Sequence, residues 1–155
     1  MGIEIERKFL LMDDGWMADA DSGTRFCQGY LSESGPASVR VRIEGDKANI
    51  NIKSATIDMH RLEYEYPIPI TDAEEMLESL CIKPLIEKTR YHVEYKGKLW
   101  EVDVFKGDNE GLKVAEVELD SREEAIVLPD WVAEEVTNDK RYYNVCLVSH
   151  PYKDW

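Results

Sequence analysis

The chain has no apolar run approaching the roughly 18 residues of a membrane span, and its first residues lack the basic-then-apolar layout of a secretory leader. Both absences point to cytoplasmic residence without a membrane partner. Gly2 occupies the acceptor position of a myristoylation signal, but Glu6 stands where that signal wants Ser or Thr. Only three cysteines occur. Cys27, Cys81 and Cys146 are far apart and set among apolar neighbours, which favours buried free thiols over a disulfide framework or a thiolate metal site. The histidines, His60, His92 and His150, have no metal-ligand spacing and are expected on the surface or in loops. Basic residues are outnumbered, 19 against 32 acidic ones, and the net charge of -13 argues against a nucleic-acid partner while leaving room for a local basic site. Repeats, low-complexity tracts and linkers are missing too. With 155 residues and 43% hydrophobic content, residues 1–155 fit a single domain with its own core.

What the chain does have is alternation. In a strand, successive side chains point to opposite faces, so Glu4, Glu6 and Lys8 share one face while Ile3, Ile5, Arg7 and Phe9 share the other. Strands are expected over Phe26–Ser32, Ser38–Ile43, Lys47–Lys53, Arg61–Ile68, Leu85–Tyr95, Leu99–Phe105 and Lys113–Leu119, with Gly45-Asp46 and Lys96-Gly97 as turns. Asp13–Gly23 reads as a loop or a short irregular helix around Trp16 and Met17. Thr71 and Glu74 form a capping box ahead of Ala73, Met76, Leu77 and Leu80 at helical spacing, and this helix ends before Pro84. A second capping box, Ser121 with Glu124, predicts a short helix through Val127 that Pro129 stops. A further helical piece is expected from Asp130 or Trp131, and Tyr142, Tyr143, Cys146 and Leu147 have the spacing of a helix packed on the core.

The strand faces carry the functional signal. Same-sign pairs two residues apart occur at Glu4 and Glu6, Arg40 and Arg42, Glu63 and Glu65, Lys88 and Arg90, Glu101 and Asp103, and Glu116 and Glu118. An ordinary exposed sheet mixes signs, because cross-strand attraction favours it. Segregation by strand instead predicts a mainly β, α+β fold in which the charged faces line the lumen of a closed antiparallel barrel and helices cover the apolar exterior. Inward arginine and lysine pairs suit a polyanion, since guanidinium forks match phosphate oxygens. Clustered carboxylates beside them suit Mg2+ or Mn2+, hard cations that bridge proteins to phosphate. Both signs in one cavity point to phosphoryl transfer.

Glu4-Ile5-Glu6-Arg7-Lys8-Phe9 resembles the ExExK signature of the CYTH superfamily, the triphosphate tunnel metalloenzymes. The resemblance continues in order through Arg40-Val41-Arg42, Lys53, Glu63-Tyr64-Glu65, Glu87-Lys88-Thr89-Arg90, Glu101-Val102-Asp103, Glu116-Val117-Glu118 and Val136-Thr137-Asn138-Asp139-Lys140-Arg141-Tyr142, covering nearly the whole chain. It implies an eight-stranded antiparallel tunnel that binds a small-molecule triphosphate with a divalent metal. By the same resemblance Glu4, Glu6, Asp103, Glu116 and Glu118 would hold metal, and Lys8, Arg40, Arg42, Lys53, Lys88, Arg90 and one of Lys140 or Arg141 would clamp the triphosphate. Glu63 and Glu65 would hold a second metal or orient the attacking water, and Lys8 would stabilise charge on the scissile phosphate. Glu101 is read as a supporting or lining residue, Tyr30 and Tyr64 as packing, and Trp16, Trp100, Trp131 and Trp155 as anchors of the core or helices. The activity implied is metal-dependent hydrolysis of inorganic triphosphate. Thiamine triphosphate hydrolysis, ATP cyclisation and a non-catalytic polyphosphate-binding module are the alternatives, and a homodimer is compatible with all of them.

Overall fold

The computed structural model describes residues 2–32, 34–55 and 59–155. Its strands are β1 (Ile3–Leu11), β2 (Thr24–Ser32), β3 (Ala37–Glu44), β4 (Lys47–Ser54), β5 (His60–Ile68), β6 (Ile82–Tyr95), β7 (Lys98–Phe105), β8 (Lys113–Glu118) and β9 (Val132–Glu135). They form one antiparallel sheet in the order β5-β4-β3-β2-β6-β7-β8-β1-β9, and β5 also pairs with β1. That last pairing, Ile3 with Leu62, Glu4 with Arg61 and Ile5 with His60, closes eight strands into a ring and leaves β9 attached outside it. Tight turns keep register where the ring needs it. In the β6–β7 hairpin, Lys96 (φ 50°) and Gly97 (φ 79°) both adopt the left-handed conformation that a two-residue primed turn demands.

Alternation sorts the side chains. Outward positions of β1, β6, β7 and β8 bury Phe9, Val93, Trp100, Val102, Ala115 and Val117 against Trp16, Trp131 and Val132. On the opposite flank, helix α1 (Ile70–Ser79) lays Ala73 and Leu77 over Val41 and Ala48. Inward positions are charged along most of the ring, but at one end they turn apolar. There Tyr30, Ile86, Phe105 and Val114 meet Leu147 and Val148 of helix α2 (Asn144–Ser149), which closes that end. The barrel is therefore a cup with a charged interior and a hydrocarbon base.

Several local expectations need correction. Helix α1 begins at Ile70 with Pro69 at its N-cap and no side-chain cap, so Thr71 lies inside the helix. Ser121 and Glu124 make only a turn, in which the Glu124 carboxylate accepts from the Asp120 N–H. Too few residues separate them from Pro129 to offset helix nucleation, and proline disfavours a helical residue before it. The helical piece expected at Asp130 or Trp131 is instead β9, hydrogen-bonded to β1. Cys81 is buried, Cys27 and Cys146 are half-buried, and all three are free thiols. Trp16, Trp100 and Trp131 are core residues as expected, whereas Trp155 is 38% exposed. Among the described residues no helix is long and apolar enough to cross a membrane.

Trp100 is fully buried and touches both Phe9 (ring centroids 5.6 Å apart) and Trp131 (5.7 Å). Trp100→Ala is expected to destabilise the fold by roughly 3–5 kcal/mol. Urea unfolding checks this through a lower midpoint at unchanged slope.

Candidate functional site

The strand order divides the lumen into two halves. Strands β4, β3, β2 and β6 present Lys53, Arg40, Arg42, Lys88 and Arg90, and strands β7, β8, β1 and β5 present Glu101, Glu116, Glu118, Glu4, Glu6, Glu63 and Glu65. Lys8 and Arg61 are the cations of the second half, and Glu44 on β3 is the lining carboxylate of the first. All of these side chains line one cavity of about 310 Å³.

The acidic half contains like charges placed directly opposite one another. Register sets Glu6 against Glu118 and Glu101 against Glu116, an arrangement that destabilises a sheet unless a cation sits between. Burial, reinforced by Glu116 and Glu4, pushes the Glu6 carboxyl up to about 8. Burial also raises Glu4, with Lys53 opposing, and raises Glu118, with Glu4, Glu63 and Glu101 adding to it. Glu116 goes the other way: burial alone would raise it, but Lys8, Arg90 and Lys88 together hold it well below the usual range. Glu6 and Glu4 thus favour the neutral form, while Glu116 and Glu63 are held in the charged form by the cations beside them. Glu4 Oε1 is buried without a hydrogen-bond donor of its own. Lys53 Nζ lies 3.0 Å from that oxygen, outside hydrogen-bond geometry. Carboxylates forced together in this way fit a divalent cation. Among the described residues no three acidic, imidazole or thiol groups converge into a ready-made metal cage.

The cationic half is organised by Asp103, which is wholly buried. Its Oδ2 accepts from Lys88 Nζ (2.8 Å) and Arg90 Nη2 (2.9 Å), and its Oδ1 accepts from Arg90 Nε (2.8 Å). Burial would raise this carboxyl, but Arg90 and Lys88 hold it at about 2. Burial pushes the Lys88 ammonium down to about 7 against the pull of Asp103, with Arg90 and Arg42 adding to the push. Burial and the neighbouring Arg40 and Arg90 likewise lower Arg42, although a guanidinium stays charged at physiological pH. Crowded cations of this kind are relieved by an anion. Polar neighbours aim them: Lys88 Nζ donates to Asn144 Oδ1 (2.7 Å), Arg42 Nε to Gln28 Oε1 (3.1 Å), and Lys8 Nζ to the Tyr142 carbonyl (2.9 Å). Across the cavity, Asn51 Nδ2 donates to Glu63 Oε2 (2.9 Å) and Glu65 Oε2 (3.2 Å), fixing that pair.

Most sequence-predicted site residues meet here, with three exceptions. Lys140 and Arg141 are exposed and face an outer surface groove, because they sit in a short helical turn where Asp139 takes the Arg141 guanidinium (2.7 Å). Asp103 lies behind the lining, where both its oxygens are engaged by the clamp cations. Tyr30 packs in the apolar base as expected and also lines the cavity, while Tyr64 is exposed. His92 also lines it, held between Asp21 (3.2 Å) and Glu101 (3.4 Å). Sequence reasoning missed Arg61, whose guanidinium lies 3.6 Å from Glu6 and over the Tyr143 ring at 4.7 Å. The signal was present, since Arg61 is in phase with Glu63 and Glu65. Tyr143 and Asn144 carried no comparable signal, because they reach the cavity only by way of the chain entering α2.

Asp103→Asn leaves Lys88 and Arg90 buried without their counter-charge and is expected to cost about 3–5 kcal/mol of stability. The folded carboxyl titrates at about 2, below its ordinary 3.8, so its stabilisation is complete above pH ~4 and is lost as the pH falls through about 2. Denaturation measured from pH 5 to pH 1.5 should therefore show a shallower acid slope in the variant than in the parent.

A family model described as the CYTH domain matches residues 2–150. An inorganic triphosphatase of Acetivibrio thermocellus is 46% identical over 155 residues, spanning 100% of this chain and 99% of its own length. A second inorganic triphosphatase, from Nitrosomonas europaea, is 38% identical over 150 residues, covering 93% of this chain and 95% of its own. The crystal structure of an inorganic triphosphatase aligns with a TM-score of 0.66 at 38% identity, covering 94% of this chain and 97% of that one. With the whole charged barrel inside the matched span, the chain belongs to the CYTH domain family.

Proposed function

We propose that this protein hydrolyses inorganic triphosphate to pyrophosphate and phosphate with a divalent cation, in the cytoplasm. The observation that carries the reading is one cavity in which a cationic half faces an acidic half, at a volume of about 310 Å³. That volume is at the small end of ligand pockets, which run from ~300 to ~1,000 Å³, and it suits a bare triphosphate better than a nucleotide. The aromatic rings of the lining support the same choice. Phe26 and Tyr143 already carry cations against them, and Tyr30 is 4% exposed, which leaves little free ring for a base to stack on. The named activity of the two bacterial relatives agrees with it.

In this reading Arg40, Arg42, Lys53, Lys88 and Arg90 grip the phosphate oxygens and neutralise their charge, with Arg61 as a further cation. Lys8, anchored on the Tyr142 carbonyl, stabilises charge on the scissile phosphate. Burial opposes ionisation of Glu63, but Lys53 and the Asn51 hydrogen bond outweigh it, so the carboxylate is ionised at neutral pH and able to accept a proton. Glu63 and Glu65 thus orient a water for in-line attack on a terminal phosphorus and take its proton, while the P–O bond to the pyrophosphate leaving group breaks. Glu4, Glu6, Glu116 and Glu118 would hold Mg2+ or Mn2+, which supplies charge neutralisation and polarises phosphate oxygens.

Phosphate release is expected to be fastest with inorganic triphosphate and Mg2+ or Mn2+, slower with thiamine triphosphate and ATP, and abolished by EDTA. Binding of triphosphate with no phosphate release under any of Mg2+, Mn2+ or Ca2+ would overturn the reading. Glu6→Gln should lower kcat by about 10²-fold or more with the melting temperature retained. Arg141→Ala, which lies off the cavity, should leave kcat/KM within about twofold of the parent.

A further inference from the structure

The cationic half has an unusual centre. Strand β2 lies between β3 and β6, and its inward residues Thr24, Phe26, Gln28 and Tyr30 carry no charge. Phe26 stands directly opposite Lys88 on β6 and Glu44 on β3. Arg42 and Arg90 are its diagonal neighbours, since they pair with Gln28 and Thr24, two residues to either side. Its ring centroid is 4.6 Å from the Arg42 guanidinium carbon, 4.9 Å from that of Arg90 and 5.8 Å from Lys88 Nζ. Phe26 is 4% exposed, so these contacts are shielded from water.

We infer that Phe26 is a positioning residue for the triphosphate clamp, an aromatic floor whose negative ring face holds three mutually repelling cations gathered beneath the substrate. This rests on the triphosphate reading above. An uncharged strand at this point has a physical use. Arg42, Lys88 and Arg90 repel one another: burial lowers Arg42 and Lys88 most, and their cationic neighbours lower both further. Asp103 gathers Lys88 and Arg90 from behind and Glu44 lies beside Arg42, but each carboxylate also offsets charge that the cations offer to phosphate. A ring quadrupole gathers them while leaving that charge in place. Lys88 and Arg90 have Asp103 as a second anchor, whereas the side-chain hydrogen bond that aims Arg42 comes from the neutral Gln28. Arg42 also makes the closest approach to the ring, so it depends on Phe26 most.

Replacing Phe26 with 4-fluoro-, 3,5-difluoro- and 3,4,5-trifluorophenylalanine drains the ring face stepwise at nearly constant shape, so a packing role is left untouched. Inorganic triphosphate binding is measured by calorimetry in EDTA, alongside melting temperature and kcat in Mg2+. The dissociation constant should rise progressively, reaching about tenfold for the trifluoro ring, with kcat held within about twofold. Phe26→Leu should match or exceed that weakening, and Phe26→Tyr should restore most of the affinity. Binding that stays flat along the fluorinated series overturns the inference while leaving the triphosphate reading intact. If the unsubstituted protein binds triphosphate only with Ca2+ present, the series is read in Ca2+, and failure to bind under either condition overturns both.

Discussion

Everything in this molecule depends on a short seam, the pairing of Ile3, Glu4 and Ile5 with Leu62, Arg61 and His60. With it, eight strands become a ring and most inward side chains are withdrawn from bulk water, Glu65 and Glu118 staying exposed. Without it, the same residues would be the screened, weakly interacting charges of an open sheet. Enclosure changes their chemistry. Burial, with Glu116 and Glu4, drives Glu6 up to about 8, whereas Arg90 and Lys88 overcome burial and hold Asp103 at about 2 inside the same barrel.

Within the ring the charges are arranged to remain tense until a ligand arrives. The cationic and acidic halves adjoin at two boundaries, and both are well satisfied. On one, Asp103 takes Lys88 and Arg90; on the other, Asn51 holds Glu63 and Glu65 while Lys53 lies 3.5 Å from Glu63. Away from the boundaries each half is crowded with its own sign, as in the facing pairs Glu6 with Glu118 and Glu101 with Glu116. The boundary pairs hold the geometry, and in the proposed reaction the crowded interiors are where triphosphate and metal would be held.

Much of this was legible in the sequence because a strand repeats every two residues. Alternation alone placed Glu4, Glu6, Arg40, Arg42, Lys88, Arg90, Glu116 and Glu118 on inward faces, and the segregation of sign by strand implied closure. Depth was not legible. Asp103 has the same phase as Glu101, yet it lies behind the cations and not in the cavity, since one further step toward the apolar base removes it from the ligand. Residues off the strands were read least well. Lys140 and Arg141 were assigned by motif order, but the turn they occupy carries them outside, and the same segment then brings Tyr143 and Asn144 in. The capping pattern at Ser121 failed for a related reason: a local signal cannot outweigh a nearby proline and the open edge of β1, which recruits Val132–Glu135 as a strand.

The apolar clusters of this fold lie outside the ring and at its base, and the ligand-facing charges lie on the other side of the same strands. Each strand thus keeps two independent ledgers of residues, odd positions answering to cohesion and even ones to recognition, or the reverse. Mutational drift can recompose the interior one residue at a time without unpicking the exterior packing. A scaffold so divided can diversify its guests while remaining recognisably the same barrel.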